Sequence, residues 1–131
     1  MARKKILVVD DSALMRKKIV AILESGTAHD IRTARDGQDA LDQANNWQPD
    51  AITLDINMPV MDGLTCLSLL MELAPCPVVM VSSLTEKSAL ATFEAMELGA
   101  VDYVAKPGGT VSLNVTDIAD ELVAKVEASL Q

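Results

Sequence analysis

Aromatic residues are nearly absent from this chain of 131 residues, which has one Trp, one Tyr and one Phe. It therefore offers no platform on which single-stranded nucleic acid could stack. Positive charge is scarce too, since 11 Lys and Arg residues stand against 19 Asp and Glu, for a net charge of −8. Because phosphate contacts need clustered Lys and Arg, this balance argues against a nucleic-acid partner.

Long hydrophobic runs are also missing. The longest apolar stretches have four or five residues, far short of the roughly 20 that a membrane-spanning helix needs. The N-terminal Met-Ala-Arg-Lys-Lys enters an apolar run at once, without the longer apolar segment of a signal peptide. We therefore expect a cytoplasmic protein without a membrane partner. Cys66 and Cys76 lack metal-ligand spacing and are expected to be free thiols, and His29, in a polar turn, suggests no function.

Apolar runs of strand length alternate five times with segments of helical period. This alternation predicts one α/β domain, in which a parallel sheet is covered by helices on both faces. The second run, residues 31–34, and the fifth, which contains Asp102, are the most polar, so we expect them at the sheet edges. The predicted helix stripes are Leu14, Ile19, Ile22 and Leu23; Ala40, Leu41 and Ala44; Leu64, Leu67 and Met71; Leu90, Phe93 and Met96; and Ile118, Leu122 and Val126.

Residues that favour helix ends flank these stripes. Gly26 is expected just beyond the first helix as its C′ residue, and the second should open near Asp36. The third should stop before Pro75. Residues 83–86 have the spacing of a capping box and predict the start of the fourth. Asn114 is the cap candidate of the fifth.

Charged side chains follow three of the apolar runs directly. Asp10 and Asp11 close the first run, Asp55 closes the third, and Lys106 closes the fifth. If these strands are parallel neighbours, their C-terminal ends meet in one crevice, where open α/β sheets bind ligands. Three crowded carboxylates repel one another, so the cluster makes physical sense chiefly as a divalent cation site. The pattern therefore indicates phosphoryl chemistry.

Each of these residues also has a simpler explanation when it is taken alone. Asp10, Asp11 and Ser12 could simply cap the first helix. Asp55 could be a solvated residue at a strand end, and Lys106 could merely end a strand. With Ser82, however, such coincidences would have to occur at four β-α junctions of one predicted sheet. The joint pattern favours a functional site.

The chain resembles response-regulator receiver domains over almost its whole length. The resemblance implies a flavodoxin-like, doubly wound five-stranded parallel sheet of order 2-1-3-4-5 with five helices, and one receiver domain over residues 1–131. It also implies a two-component signalling system in which a histidine kinase is the phosphoryl donor. The matching segments are Val8-Val9-Asp10-Asp11-Ser12, Leu54-Asp55-Ile56-Asn57-Met58-Pro59-Val60-Met61-Asp62-Gly63, Val81-Ser82 and Tyr103-Val104-Ala105-Lys106-Pro107.

The resemblance assigns a phosphoacceptor and a Mg²⁺ site to particular residues. Asp55 is implied to be the phosphoacceptor, a carboxylate nucleophile. Asp11, Asp55 and the backbone carbonyl of Asn57 are implied to bind Mg²⁺ directly. Asp10 is implied to act through a bound water, since Mg²⁺ keeps several waters when few protein ligands are offered.

The resemblance also assigns a residue that binds the phosphoryl group and residues that change position on phosphorylation. Lys106 is implied to pair with a phosphoryl oxygen, and its bond to Pro107 is implied to be cis. Ser82 is implied to turn its hydroxyl onto the phosphoryl group. Tyr103 stands where the family has its switch aromatic, although an amphipathic Tyr on an edge strand fits this position equally well.

Two stretches point to one group of receivers. Residues 79–85 and residues 108–113 are similar to those of chemotaxis protein-glutamate methylesterases, response regulators with a C-terminal serine-esterase domain. The chain has no G-x-S-x-G motif, and His29 is far from any candidate serine in the predicted layout. Any methylesterase activity must therefore lie outside this chain. We expect either the regulatory domain of a longer protein, with a C-terminal effector domain as partner, or a free-standing single-domain response regulator.

Two functions from other classes fit the sequence less well. A metal-dependent phosphatase with an aspartyl nucleophile would need a second acid two residues later, where the chain has Asn57. A receiver-shaped scaffold that binds partners without phosphorylation would need neither the three acids nor Lys106. The phosphorylation switch accounts for all of them.

Overall fold

Five strands and five helices alternate along the chain, as the apolar pattern predicts. The computed structural model describes residues 3–83, 85–106 and 115–131. The predictions for Pro107, residues 108–113 and Asn114, including the cis bond, therefore lie outside the described residues. The elements are β1 Lys5–Val9, α1 Ala13–Gly26, β2 Asp30–Ala34, α2 Gly37–Trp47, β3 Ala51–Asp55, α3 Gly63–Leu73, β4 Val78–Ser82, α4 Glu86–Leu98, β5 Asp102–Ala105 and α5 Val115–Ser129.

The strands form one parallel sheet in the order β2-β1-β3-β4-β5. This confirms the predicted order, and the polar strands β2 and β5 lie at its edges. The register aligns Val9 with Leu54 across β1 and β3, and Ser82 with Ala105 across β4 and β5. The residues that follow these positions therefore meet at one edge of the sheet.

Two hydrophobic clusters cover the two faces of the sheet. Because successive side chains of a strand alternate between faces, Leu7 and Val9 of β1 belong to one cluster and Ile6 and Val8 to the other. The first cluster is closed by α2, α3 and α4, and the second by α1 and α5. Helices on both faces make a three-layer domain, with all strands of the sheet ending toward one rim.

The first helix ends later than predicted. Gly26 is the last residue of α1, and Thr27 is its C-cap, with the Thr27 N–H donating to the carbonyl of Leu23. A Cβ at Gly26 would lie 2.6 Å from Cγ2 of Val123. Glycine is therefore required at this position by the close approach of α5 and not by a left-handed turn.

The fourth helix differs from the prediction at its start. Thr85 is the N-cap of α4, and its side chain accepts a hydrogen bond from Ser88 N–H. The predicted capping box is wrong, because the Ser83 hydroxyl instead lies 2.9 Å from the hydroxyl of Ser88.

The buried face of α4 also differs from the predicted stripe. Leu90 and Phe93 are 70% and 67% exposed, and Met96 is 36% exposed. The face that packs on the sheet is small and polar, with Ser88, Thr92 and Ala95 buried. The large apolar side chains of this helix are thus available to a partner.

His29 has a structural role that its sequence context does not suggest. Its Nδ1 accepts a hydrogen bond of 3.0 Å from Lys4 N–H, so its Nε2 carries the proton and donates to Glu127 Oε1 at 2.6 Å. The side chain is 13% exposed. His29 therefore ties the start of β1 to the end of α5.

No helix in the described part of the chain is long and apolar enough to cross a membrane.

The loop after β3 contains a strained turn. Val60 has a φ of 67°, and the Met61 N–H donates to the Pro59 carbonyl at 2.7 Å, which closes a three-residue turn. A β-branched residue is rarely found at positive φ, and the side chain of Val60 is fully exposed, so packing does not compensate for the strain. The loop beside the acidic residues thus stores conformational strain.

We expect Val60→Gly to raise the free energy of unfolding by about 1 kcal/mol. Relief of the strained φ contributes about 1–3 kcal/mol, and the larger entropy of glycine in the unfolded chain offsets about 0.4–1 kcal/mol of it. Urea denaturation of the parent and the variant measures the difference. Val101→Gly is the matched control: Val101 is another exposed valine, but its φ is not positive, so this change should destabilise. A loss of stability in both variants would contradict the strain.

Candidate functional site

The three acids predicted to converge do meet at the C-terminal rim of the sheet. One carboxylate oxygen from each of Asp10, Asp11 and Asp55 lies within 4.8 Å of the other two. Asp10 and Asp55 are fully buried, whereas Asp11 is exposed. The site is therefore a pair of buried carboxylates with a third at its mouth.

Local hydrogen bonds hold Asp10 in place and leave capping to another residue. The Asp10 N–H donates to the Ala34 carbonyl at 3.2 Å, and its Oδ1 accepts from Ser12 N–H at 2.9 Å. Ser12 is the N-cap of α1 and accepts from Met15 N–H. The simpler interpretation as a helix cap therefore holds for Ser12 and not for the two acids.

Lys106 contributes a cation to the site. Its Nζ lies 3.0 Å from Asp55 Oδ1, and its side chain is 20% exposed. The Lys106 N–H donates to the Ser82 carbonyl at 2.9 Å, which extends the pairing of β4 and β5 by one step. The sheet itself thus positions the ammonium beside Asp55.

Two carboxylate oxygens in this site have no partner. Asp10 Oδ2 and Asp55 Oδ2 are buried and accept no hydrogen bond from the described residues. A buried anionic oxygen without a partner is costly, and carboxylate oxygens are the ligands that hard divalent cations prefer. The arrangement fits a cation that both oxygens face.

Burial raises the pKa of both buried carboxyls, and a neighbouring carboxylate adds to the effect in each case. Burial, followed by the charge of Asp10, raises the pKa of Asp55 from 3.8 to about 6, although Lys106 and the Asn57 N–H act in the opposite direction. Burial is also the main cause that raises the pKa of Asp10. Without a bound cation, Asp10 and Asp55 are therefore protonated more readily than ordinary aspartates.

Asn57 connects the site to α4. Its N–H donates to Asp55 Oδ1 at 3.2 Å, and its side-chain Nδ2 donates to the Ser88 hydroxyl at 3.0 Å. Ser88 is almost fully buried and was not singled out from the sequence, since a lone serine in a helix carries no motif. A Cβ at Gly63 would collide with the Asp55 carbonyl, so glycine there lets α3 close against this loop.

Ser82 and Tyr103 line one cavity. Ser82 is 7% exposed at the end of β4, and Tyr103 is half exposed on β5. The cavity has a volume of about 800 Å³ and lies between α4, β5 and α5. Its lining is mostly apolar and includes Thr92, Phe93 and Ile118.

The sequence pattern of the response regulator receiver domain family matches residues 6–116. The chain therefore belongs to the response regulator receiver domain family. It is 62% identical over 123 residues to a protein-glutamate methylesterase/protein-glutamine glutaminase of Caldanaerobacter subterraneus, covering 93% of this chain and 34% of the relative. A Vibrio cholerae protein of the same description is 57% identical over 125 residues, covering 95% of this chain and 35% of the relative.

The solved structures agree with this assignment. The response regulator domain of CheB from Thermotoga maritima superposes with a TM-score of 0.86 at 42% identity, covering 98% of this chain and 97% of that one. The receiver fold and the relation to methylesterase receivers, both expected from the resemblance, are confirmed. The chain spans about a third of the length of the curated relatives it matches.

Proposed function

We propose that this domain is a phosphorylation-controlled switch with Asp55 as its phosphoacceptor. The observation that carries the proposal is the environment of the Asp55 carboxylate at the end of β3. One of its oxygens contacts Lys106, and the other accepts no hydrogen bond from the described residues, in a site where oxygens of Asp10 and Asp11 lie within 4.8 Å. Such an oxygen is available for a metal ion and for attack on phosphorus.

The residues present fit Mg²⁺. Asp11, Asp55 and the backbone carbonyl of Asn57 would hold the ion directly, and Asp10 would act through a water, since Mg²⁺ binds few protein ligands and retains waters. When bound, the ion neutralises the carboxylates and withdraws charge from a transferring phosphoryl group. The partnerless oxygens of Asp10 and Asp55 support this assignment.

Asp55 attacks as a carboxylate. With a pKa of about 6, it is mostly ionised at neutral pH and above. A carboxylate oxygen forms a bond to phosphorus, and the bond from phosphorus to the donor breaks, with its electron pair leaving on the donor atom. The product is an aspartyl phosphate, and the donor is a phosphohistidine of a histidine kinase or a small acyl phosphate.

Three residues respond to the phosphoryl group. Lys106 already contacts Asp55 and pairs with a phosphoryl oxygen as a compact point charge. Ser82 turns its hydroxyl toward the same group, and Tyr103, which lines the same cavity as Ser82, moves with it. The aspartyl phosphate carries about two negative charges where the Asp55 carboxylate carries one, and phosphorylation thereby shifts the balance between two existing packings of this region.

Magnesium titration tests the site. We expect Mg²⁺ to stabilise the parent, and Asp11→Asn to weaken Mg²⁺ binding at least about tenfold, since even changes behind a metal ligand cost 10–100-fold. The variant should also melt at a higher temperature without Mg²⁺, because one of three crowded charges is removed. Calorimetry and thermal melts measure both effects. Asp42→Asn, an exposed acid on α2, is the control, and equal Mg²⁺ responses in the parent and Asp11→Asn would contradict the assignment.

We further propose that this domain regulates a C-terminal methylesterase domain through the surface of α4, β5 and α5. The relatives are described as methylesterases and are about three times as long as this chain. On this surface, Leu90 and Phe93 expose large apolar side chains beside the cavity that Ser82 and Tyr103 share. Phosphorylation of Asp55 thus alters a surface on which an apolar partner can dock.

Substitution on this surface should release the effector domain. In a longer parent protein, Phe93→Ser should raise basal esterase activity, as should deletion of residues 1–131, because both remove the occluding contact. Leu73→Ser is the matched control, since Leu73 has the same exposure of 67% but lies on α3. In the isolated domain, phosphorylation should shift the amide signals of residues 85–97 and 101–105. Shifts that avoid these residues would contradict the surface assignment.

A further inference from the structure

The ammonium group of Lys125 on α5 contacts three oxygen atoms that lie close together. Its Nζ donates to the Tyr103 carbonyl at 2.8 Å and lies 3.3 Å from Asp102 Oδ1 and 2.7 Å from Glu121 Oε2. An ammonium group has three donors and no acceptor, so these three oxygens satisfy it. Two of them belong to the edge strand β5, which Lys125 therefore ties to α5.

The same ammonium lies over the ring of Tyr103. Its Nζ is 5.1 Å from the ring centroid, within the range at which a cation is attracted to the face of an aromatic ring. Because the strand carbonyl of Tyr103 holds the ammonium in place, the contact favours the position in which the ring is half exposed. Lys125 thus contacts both the backbone and the side chain of one residue.

The cavity beside Tyr103 offers space for its ring. Tyr103 lines the cavity of about 800 Å³ that Ser82 also lines, and small side chains such as Ala89, Thr92 and Ala105 form part of its wall. These residues leave room for an aromatic ring between β5 and α4. A ring that turns into the cavity leaves the ammonium of Lys125.

We propose that Lys125 is a positioning residue that holds Tyr103 outward and so opposes the phosphorylated state. This inference rests on the proposed function of Asp55, Ser82 and Tyr103. A contact made only in the unphosphorylated conformation stabilises that conformation by some factor. By linkage, it weakens the binding of a phosphoryl mimic by the same factor. An exposed cation–π contact corresponds to a factor of about two to five.

Beryllofluoride with Mg²⁺, a mimic of a bound phosphoryl group, tests the inference. Lys125→Met keeps the apolar stem and removes the ammonium, and we expect it to bind beryllofluoride about two- to fivefold more tightly than the parent. Loss of positive charge alone would weaken binding of the beryllofluoride anion, whereas release of the Tyr103 ring should strengthen it. The direction of the change in affinity therefore distinguishes the two effects. Lys87→Met, at an exposed lysine of α4, shows the charge effect alone. Lys125→Arg, which keeps a cation over the ring, should restore the affinity of the parent.

The single tyrosine of the chain provides a second readout. In the metal-free protein, Lys125→Met should move the Tyr103 ring signals in NMR spectra toward those of the beryllofluoride-bound parent. In a Tyr103→Leu background, Lys125→Met should no longer raise the affinity. Unmoved ring signals, or the same gain in affinity without the ring, would overturn the inference. A parent that binds no beryllofluoride would instead overturn the proposed function; a difference in the Tyr103 ring signals between the metal-free parent and metal-free Lys125→Met would still test the contact with Lys125.

Discussion

Asp55→Asn should stabilise the metal-free protein by about 2–3 kcal/mol at pH 8. Burial and the charge of Asp10 raise the pKa of Asp55 from 3.8 to about 6. A difference of this size corresponds to at most about 3 kcal/mol of unfavourable interaction for the ionised carboxylate. Asparagine has nearly the same shape and no charge, so the substitution removes this cost. Equilibrium unfolding in urea with a chelator present measures the gain.

The gain should depend on pH in a defined direction. Because the pKa of Asp55 is higher in the folded than in the unfolded chain, its protonation stabilises the parent fully below about pH 3.8, and this contribution is lost as the pH rises through about 6. The advantage of Asp55→Asn should therefore be small near pH 4 and complete by pH 8. An advantage that is constant over this range would contradict the ionisation of Asp55 as its cause.

Asp55→Asn should also abolish phosphoryl transfer to the domain. With Mg²⁺ and a small acyl phosphate, the parent should gain one phosphoryl group that is stable to acid and labile to hydroxylamine, as expected for an acyl phosphate. The variant should gain none, because an amide is not a nucleophile of this kind. Intact-protein mass spectrometry measures the uptake. Stability and chemistry thus change in opposite directions at one residue, as is common at functional sites.

Two variants serve as controls for this loss. Ser82→Ala should still accept the phosphoryl group, because its hydroxyl turns toward the product and does not attack. Lys106→Arg should impair the response of Tyr103 more than it impairs Mg²⁺ binding, because a planar guanidinium replaces a point charge. Uptake that persists in Asp55→Asn but disappears in Ser82→Ala would assign the nucleophile to the serine.

The sheet and the convergence of the acidic site could be predicted from the sequence for a simple physical reason. Each strand is a short apolar run, and Asp10, Asp55 and Lys106 each close a run or follow it directly, so parallel packing brings them to one rim. The difference in burial between Asp10 and Asp11 could not be predicted. Adjacent acids look equivalent in the sequence, but only the first is buried and held by Ser12 N–H.

The features that were missed depend on tertiary packing. Leu90, Phe93 and Met96 have the spacing of a core stripe, and periodicity alone does not distinguish a face that meets the sheet from a face that meets a partner. Small residues of α4, including Ser88, pack against the sheet instead. The contacts of Asn57 with Ser88 and of Lys125 with Tyr103 join residues far apart in the chain, and no local pattern marks them.

Peptide mapping determines whether Asp55 carries the phosphoryl group. The domain is treated with a small acyl phosphate and Mg²⁺, reduced with borohydride to convert any acyl phosphate to an alcohol, and digested for mass spectrometry. We expect conversion of Asp55 alone, dependent on Mg²⁺ and absent in Asp11→Asn, which lacks one proposed metal ligand. Conversion of Asp62, or a phosphate retained on Ser82 with Asp55 unmodified, would contradict this assignment.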